Sequence, residues 1–188
     1  MRVSDDRYSK DRQKMDLAVR FIRHEARTHT IRQWTGLSDD RIRKLCRSYV
    51  AGNGTQRVTR HRGKSPRQAA FFFRNSEVTF QAAQLASLFL IYELVRSAGS
   101  RLESLFRVGS LESGTLLCQA YEAYLELHAP VSISFEHAWF LLLALARHDE
   151  VGVARCKDCG GLRLRDLLAR HKQTCGNCHL GSPPALTH

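Results

Sequence analysis

Four cysteines near the C-terminus constrain this chain most. They read Cys156-Lys-Asp-Cys159, fifteen intervening residues, then Cys175-Gly-Asn-Cys178. Two Cys-x2-Cys pairs at this separation match the ligand set of a closed tetrahedral Zn²⁺ site. The short spacing turns both sulfurs of a pair toward one ion. Gly160 and Gly161 after the first pair, and Gly176 within the second, permit the tight turns this needs. Four protein ligands leave no position for water, so one such ion per chain is expected to be structural. Redox-active dithiols or a pair of disulfides remain the alternatives. His171 and His179 are near enough to replace a cysteine, although four thiolates already complete the set.

Around this motif the composition suits a cytoplasmic globular protein. Of 188 residues, 43% are hydrophobic, enough for a core. No apolar run approaches the roughly 18 residues of a membrane span. The N-terminus begins charged, without the apolar stretch of a secretory signal. The net charge of +11 is segregated: residues 1–76 hold 19 Lys/Arg against 7 Asp/Glu, whereas residues 77–188 hold 10 against 11. Solubility alone does not require one sign to be gathered in one half, so the first part of the chain is expected to meet a polyanion.

Hydrophobic periodicity predicts a mainly α fold. Expected helices cover 12–28, 29–35, 39–49, 80–98, 115–128 and 135–149, and residues 162–166 alternate at period two like a strand. Residues 51–68 read as a basic loop rich in Gly and polar residues. This divides the chain into a helical body for DNA binding and oligomerisation, 1–150, and a four-cysteine zinc ribbon with a short tail, 151–188. The broad apolar faces of the three later helices also suit burial against a partner chain.

Residues Thr30–Tyr49 have the grammar of a helix-turn-helix. A short helix precedes Gly36, Leu37 is apolar, and Ser38 can cap a second helix whose first turn carries Asp39 and Asp40. On that helix Ile42, Leu45, Cys46 and Tyr49 form a seam, leaving Arg41, Arg43, Lys44 and Arg47 as candidate DNA-contacting residues. Arg60, Arg62, Lys64 and Arg67 in the basic loop are candidate phosphate contacts. Gly63-Lys64-Ser65 does not make a nucleotide-binding loop, because Val58 stands where that motif needs glycine. With neither paired metal-binding acids nor a nucleophile constellation, no enzyme is expected.

The order of these features resembles the FlhC family, subunits of a bacterial flagellar transcriptional activator. The similarity lies in Cys156-Lys-Asp-Cys159-Gly160-Gly161, Cys175-Gly-Asn-Cys178 and Pro183-Pro184. Further matches are Leu37-Ser38 through Arg43-Lys44-Leu45, Gln119 through Glu126, and Ala138-Trp139. The basic 54–68 segment and Phe71-Phe72-Phe73 depart from the family's pattern. The resemblance implies a zinc-containing activator that binds promoter DNA in a hetero-oligomer with an FlhD-like subunit and acts on RNA polymerase at flagellar class II promoters. A zinc-stabilised protein-protein adaptor without sequence-specific DNA binding is the alternative.

Overall fold

The computed structural model describes residues 2–52, 61, 63, 65–99, 101–169, 175 and 178. It is mainly helical with a few short strands. The elements are α1 (Arg2–Arg23), α2 (Thr28–Thr35), α3 (Asp39–Gly52), a 3-10 turn (Ala69–Phe73) and α4 (Ser76–Ile91). They continue with β1 (Val95–Ala98), β2 (Arg101–Ser104), α5 (Leu111–Leu127), α6 (Phe135–Arg147), β3 (Val151–Arg155) and β4 (Leu162–Asp166). None of the described helices is long and apolar enough to cross a membrane. Two compact units emerge. Residues 1–65 and 106–118 make the first, and residues 66–105 and 119–188 make the second. The residues of α5 are therefore shared between them.

In the first unit, the seam Leu17, Ala18, Phe21 and Ile22 of α1 is buried with Ile31 and Trp34 of α2 and Ile42 of α3. Trp34 meets the edge of Phe21 at 6.2 Å between ring centroids. Local chemistry sets the breaks. The chain leaves α1 through Glu25 at φ 58°, with the Ala26 amide closing on the Phe21 carbonyl, so the helix expected over 12–28 ends at Arg23. It also starts ten residues earlier than expected, because Arg2–Asp11 continues the helix without continuing the apolar stripe that marks it in the sequence. Gly36 ends α2 in the left-handed region, at φ 67°, where a Cβ is disfavoured. Ser38 caps α3, its Oγ accepting from the Arg41 amide.

The second unit is built on α4 and α6. Asn75 caps α4 by accepting from the Val78 amide, and Ser134 caps α6 by accepting from the His137 amide. A buried polar cluster pins the chain between α5 and α6. The Gln81 Oε1 accepts from the Tyr124 hydroxyl and the Ser132 amide, while its Nε2 donates to Glu77 and to the Pro130 carbonyl. The Tyr124 oxygen in turn accepts from the Ile133 amide at 3.1 Å. Burial raises the Tyr124 pKa, so the ring stays neutral and can donate to Gln81.

The helix expected over 80–98 requires correction. It stops at Ile91, and Val95–Ala98 pairs antiparallel with Arg101–Ser104. Glu93 lies at φ 54° and Gly99 at φ 64°, two left-handed positions that a continuous helix does not contain. Val95 happens to fall on the helical period, but it is buried with Leu94 and Leu102 as part of a hairpin face. A second hairpin joins β3 to β4 in antiparallel register, with Val153 opposite Leu164 and Arg155 opposite Leu162. Residues 162–166 are a strand, as their alternation predicts; the partner strand 151–155 is not among the expected elements, although Val151 and Val153 also alternate.

Candidate metal centre

The tip of the β3–β4 hairpin carries the first cysteine pair. Val151, Val153 and Leu164 are buried, which anchors the hairpin to the second unit and fixes where its tip lies. Cys156 follows directly on β3. Its amide donates to the Gly161 carbonyl at 2.9 Å, and the Gly160 amide returns to the Cys156 carbonyl at 3.1 Å. Gly160 makes the return at φ 68° with open space around it; a side chain there meets backbone strain and not a clash. Arg155 reaches over the turn to the Gly160 carbonyl.

Cys175 and Cys178 complete a cluster in which one sulfur from each of the four residues lies within 4.8 Å of the others. The Sγ atoms of Cys156 and Cys178 are 3.7 Å apart, and those of Cys159 and Cys175 are 3.8 Å apart. A disulfide requires about 2.05 Å, so the sulfurs are not bonded in pairs. A regular tetrahedron with Zn–S bonds of about 2.3 Å has edges of about 3.8 Å. The two short separations match that edge, and each joins one knuckle to the other. The donor set and its geometry therefore fit a four-coordinate metal ion. Cys156 and Cys175 are buried, Cys178 is half-buried and Cys159 is exposed, so the cluster reaches the surface on one side.

The cluster's electrostatics favour an anionic state at Cys156. Backbone amides of Cys159 and Asp158 point at its sulfur, and with the neighbouring thiols they lower its pKa to about 7. Cys178 moves the other way, to about 12. Its hydrogen bonds to Cys159 and to Cys156 hold the proton, and burial and the Cys156 negative charge add to this. A thiolate thus forms readily at Cys156, and its charge opposes ionisation of Cys178. A bound dication removes that repulsion, because each sulfur then faces positive charge. Cys46 and Cys118 lie outside the cluster.

The remaining candidate residues are distributed less evenly. Arg41, Arg43, Lys44 and Arg47 are all exposed on α3 in the first unit. Two of them are engaged: Arg41 forms a two-pronged bond to Asp11 of α1, at 2.8 and 3.3 Å, and Arg43 bonds Asp40 at 2.8 Å. Arg67 is exposed in the second unit, whereas Arg60, Arg62 and Lys64 lie outside the described residues, as do His171 and His179. Sequence reasoning misses Asp11 as a partner of α3; thirty residues separate it from Arg41, and no local pattern links them. No known protein-family model matches the chain, and no curated protein matches it.

Proposed function

We propose that this chain is a non-enzymatic DNA-binding transcription regulator whose C-terminal lobe is held together by one Zn²⁺. The convergence of four sulfurs within 4.8 Å of one another, two of their separations matching a tetrahedral edge, is the observation that carries the zinc part of the reading. Cys156, Cys159, Cys175 and Cys178 are its ligands, and the ion's role is to close the lobe, since no ligand position is left for a reactant. Support for DNA comes from the first unit. A left-handed glycine and a serine cap separate α2 from α3 as in a helix-turn-helix, and α3 displays four exposed cations within a strongly basic stretch of sequence. The resemblance to the FlhC family extends the proposal to promoter activation in the cytoplasm, in a hetero-oligomer with an FlhD-like chain that acts on RNA polymerase.

A zinc-stabilised adaptor is the second reading. Its support is the four-cysteine cluster, since a closed structural metal site serves a protein-binding lobe as well as a DNA-binding one. One experiment separates the two. The full chain, co-expressed with an FlhD-like subunit, is titrated with duplex DNA at several salt concentrations. A DNA-binding regulator gives affinity that falls linearly on a log-log salt plot, and prefers one promoter sequence over mixed-sequence duplex. An adaptor gives no sequence preference. Metal analysis of the same preparation tests zinc: less than one equivalent per chain after purification without chelator rejects the structural-ion reading.

A further inference from the structure

The cations of α3 divide into two classes by their surroundings. At 3.6 residues per turn, Lys44 and Arg47 stand nearest the pole opposite the buried Ile42 seam, while Arg41 and Arg43 flank them on opposite sides. Arg43 is held by Asp40 within its own helix. Arg41 turns toward α1. Both of its terminal nitrogens reach the Asp11 carboxylate, and one also lies 3.8 Å from the Met15 sulfur. A guanidinium facing a carboxylate in this way has one N–H of each terminal nitrogen engaged in a charge-assisted bond, and its fork is turned toward α1. The same fork geometry is the one that phosphate oxygens or a guanine edge would require.

We infer that Asp11 is a positioning residue of the DNA surface: it withholds Arg41 from the nucleic acid, so that Lys44 and Arg47 form the polyanion-contacting edge of α3. This rests on the DNA-binding reading of α3. Asp11 acts through Arg41 and touches no nucleic acid itself. Its carboxylate pairs with a group that duplex DNA would otherwise compete for, and the pair is exposed enough to exchange partners. Lys14 also lies near Asp11 and lowers its pKa, though less than Arg41 does, so the carboxylate is anionic wherever DNA binding is measured.

The test compares Asp11→Asn with Asp16→Asn in the full chain. Asp16 is a second exposed carboxylate of α1 whose partner, Arg12, lies on the same helix, so both variants change net charge equally. Binding to a mixed-sequence duplex is followed by fluorescence anisotropy over a salt series. With Arg41 released, Asp11→Asn gains about one phosphate contact: its salt slope steepens by about 0.9 relative to Asp16→Asn, and its affinity advantage grows roughly threefold for each fourfold drop in salt. In an Arg41→Gln background the two variants coincide. Equal slopes for Asp11→Asn and Asp16→Asn overturn the inference, as does weaker binding by Asp11→Asn, which would mean the clamp presents Arg41 to DNA. Lys44→Gln with Arg47→Gln reports on the underlying reading separately. If that pair loses no affinity, α3 does not face DNA and both conclusions fall. If it loses affinity while Asp11→Asn matches Asp16→Asn, only the withholding role falls. Unchanged helical circular dichroism in every variant confirms that folded proteins are compared.

Discussion

Acidification should release metal from the four-cysteine cluster along a curve whose shape the four sulfurs dictate. Every thiol proton displaced by the ion makes apparent affinity change tenfold per pH unit. Cys178, with its pKa pushed up to about 12, surrenders a proton at any physiological pH. Cys156, lowered to about 7, surrenders one only below that value, since above it the proton has already left. The sign follows: the depressed group helps metal binding above pH 7, and its help is lost as pH falls through 7. Counting these two sulfurs alone, affinity should drop at least about a hundredfold per unit below pH 7, and the slope should lessen by about one power of ten per unit on passing above it. Competition against a chelator of known pH dependence, from pH 5.5 to about 9, measures the curve. Calorimetry in buffers of differing ionisation enthalpy counts the protons independently. A slope shallower than about two below pH 7 would refute the coupled-thiol account, as would a straight line with no change near 7.

Substituting Cys156→Ser should abolish stoichiometric Zn²⁺ binding, while Cys46→Ser and Cys118→Ala should leave it intact; metal analysis of the three variants decides. Gly114 packs so closely in the first unit that an added Cβ would lie 2.7 Å from Leu17 Cδ2 and 3.3 Å from Trp34 Cε3. For Gly114→Ala, overpacking of about 1–3 kcal/mol opposes a helix-propensity gain of about 1 kcal/mol, so thermal melting should show no net stabilisation. Gly114→Val should be clearly worse, and a stabilised valine variant would refute the contact. Tyr124→Phe removes a donor to Gln81 and an acceptor for the Ile133 amide, and should cost about 1–3 kcal/mol in chemical denaturation. Lys44→Ala and Arg47→Ala should each weaken DNA binding similarly for all sequences where they meet phosphate, lowering the salt slope by about 0.9 apiece in anisotropy titrations.

Much of the metal centre is legible without coordinates because its determinants are local. Two residues between cysteines set how far apart two sulfurs of a knuckle can stand, and a following glycine supplies the left-handed turn found at Gly160. Helix breaks at Gly36 and caps at Ser38 are equally local, since side chain and backbone lie within three residues. What lies beyond reach depends on partners distant in sequence. Val95 satisfies a helical period and a hairpin face equally well, and only its pairing opposite Ser104 decides between them. The approach of Cys156 to Cys178 and of Cys159 to Cys175 joins residues 22 and 16 positions apart, beyond the reach of any local pattern. Four exposed cations on α3 look equivalent in one dimension. Packing of α1 beside α3 makes them unequal, because it brings the Asp11 carboxylate to Arg41 and to no other cation among α3's four candidates. Charge and periodicity are properties of the chain; which charges are already neutralised is decided when distant helices are brought together.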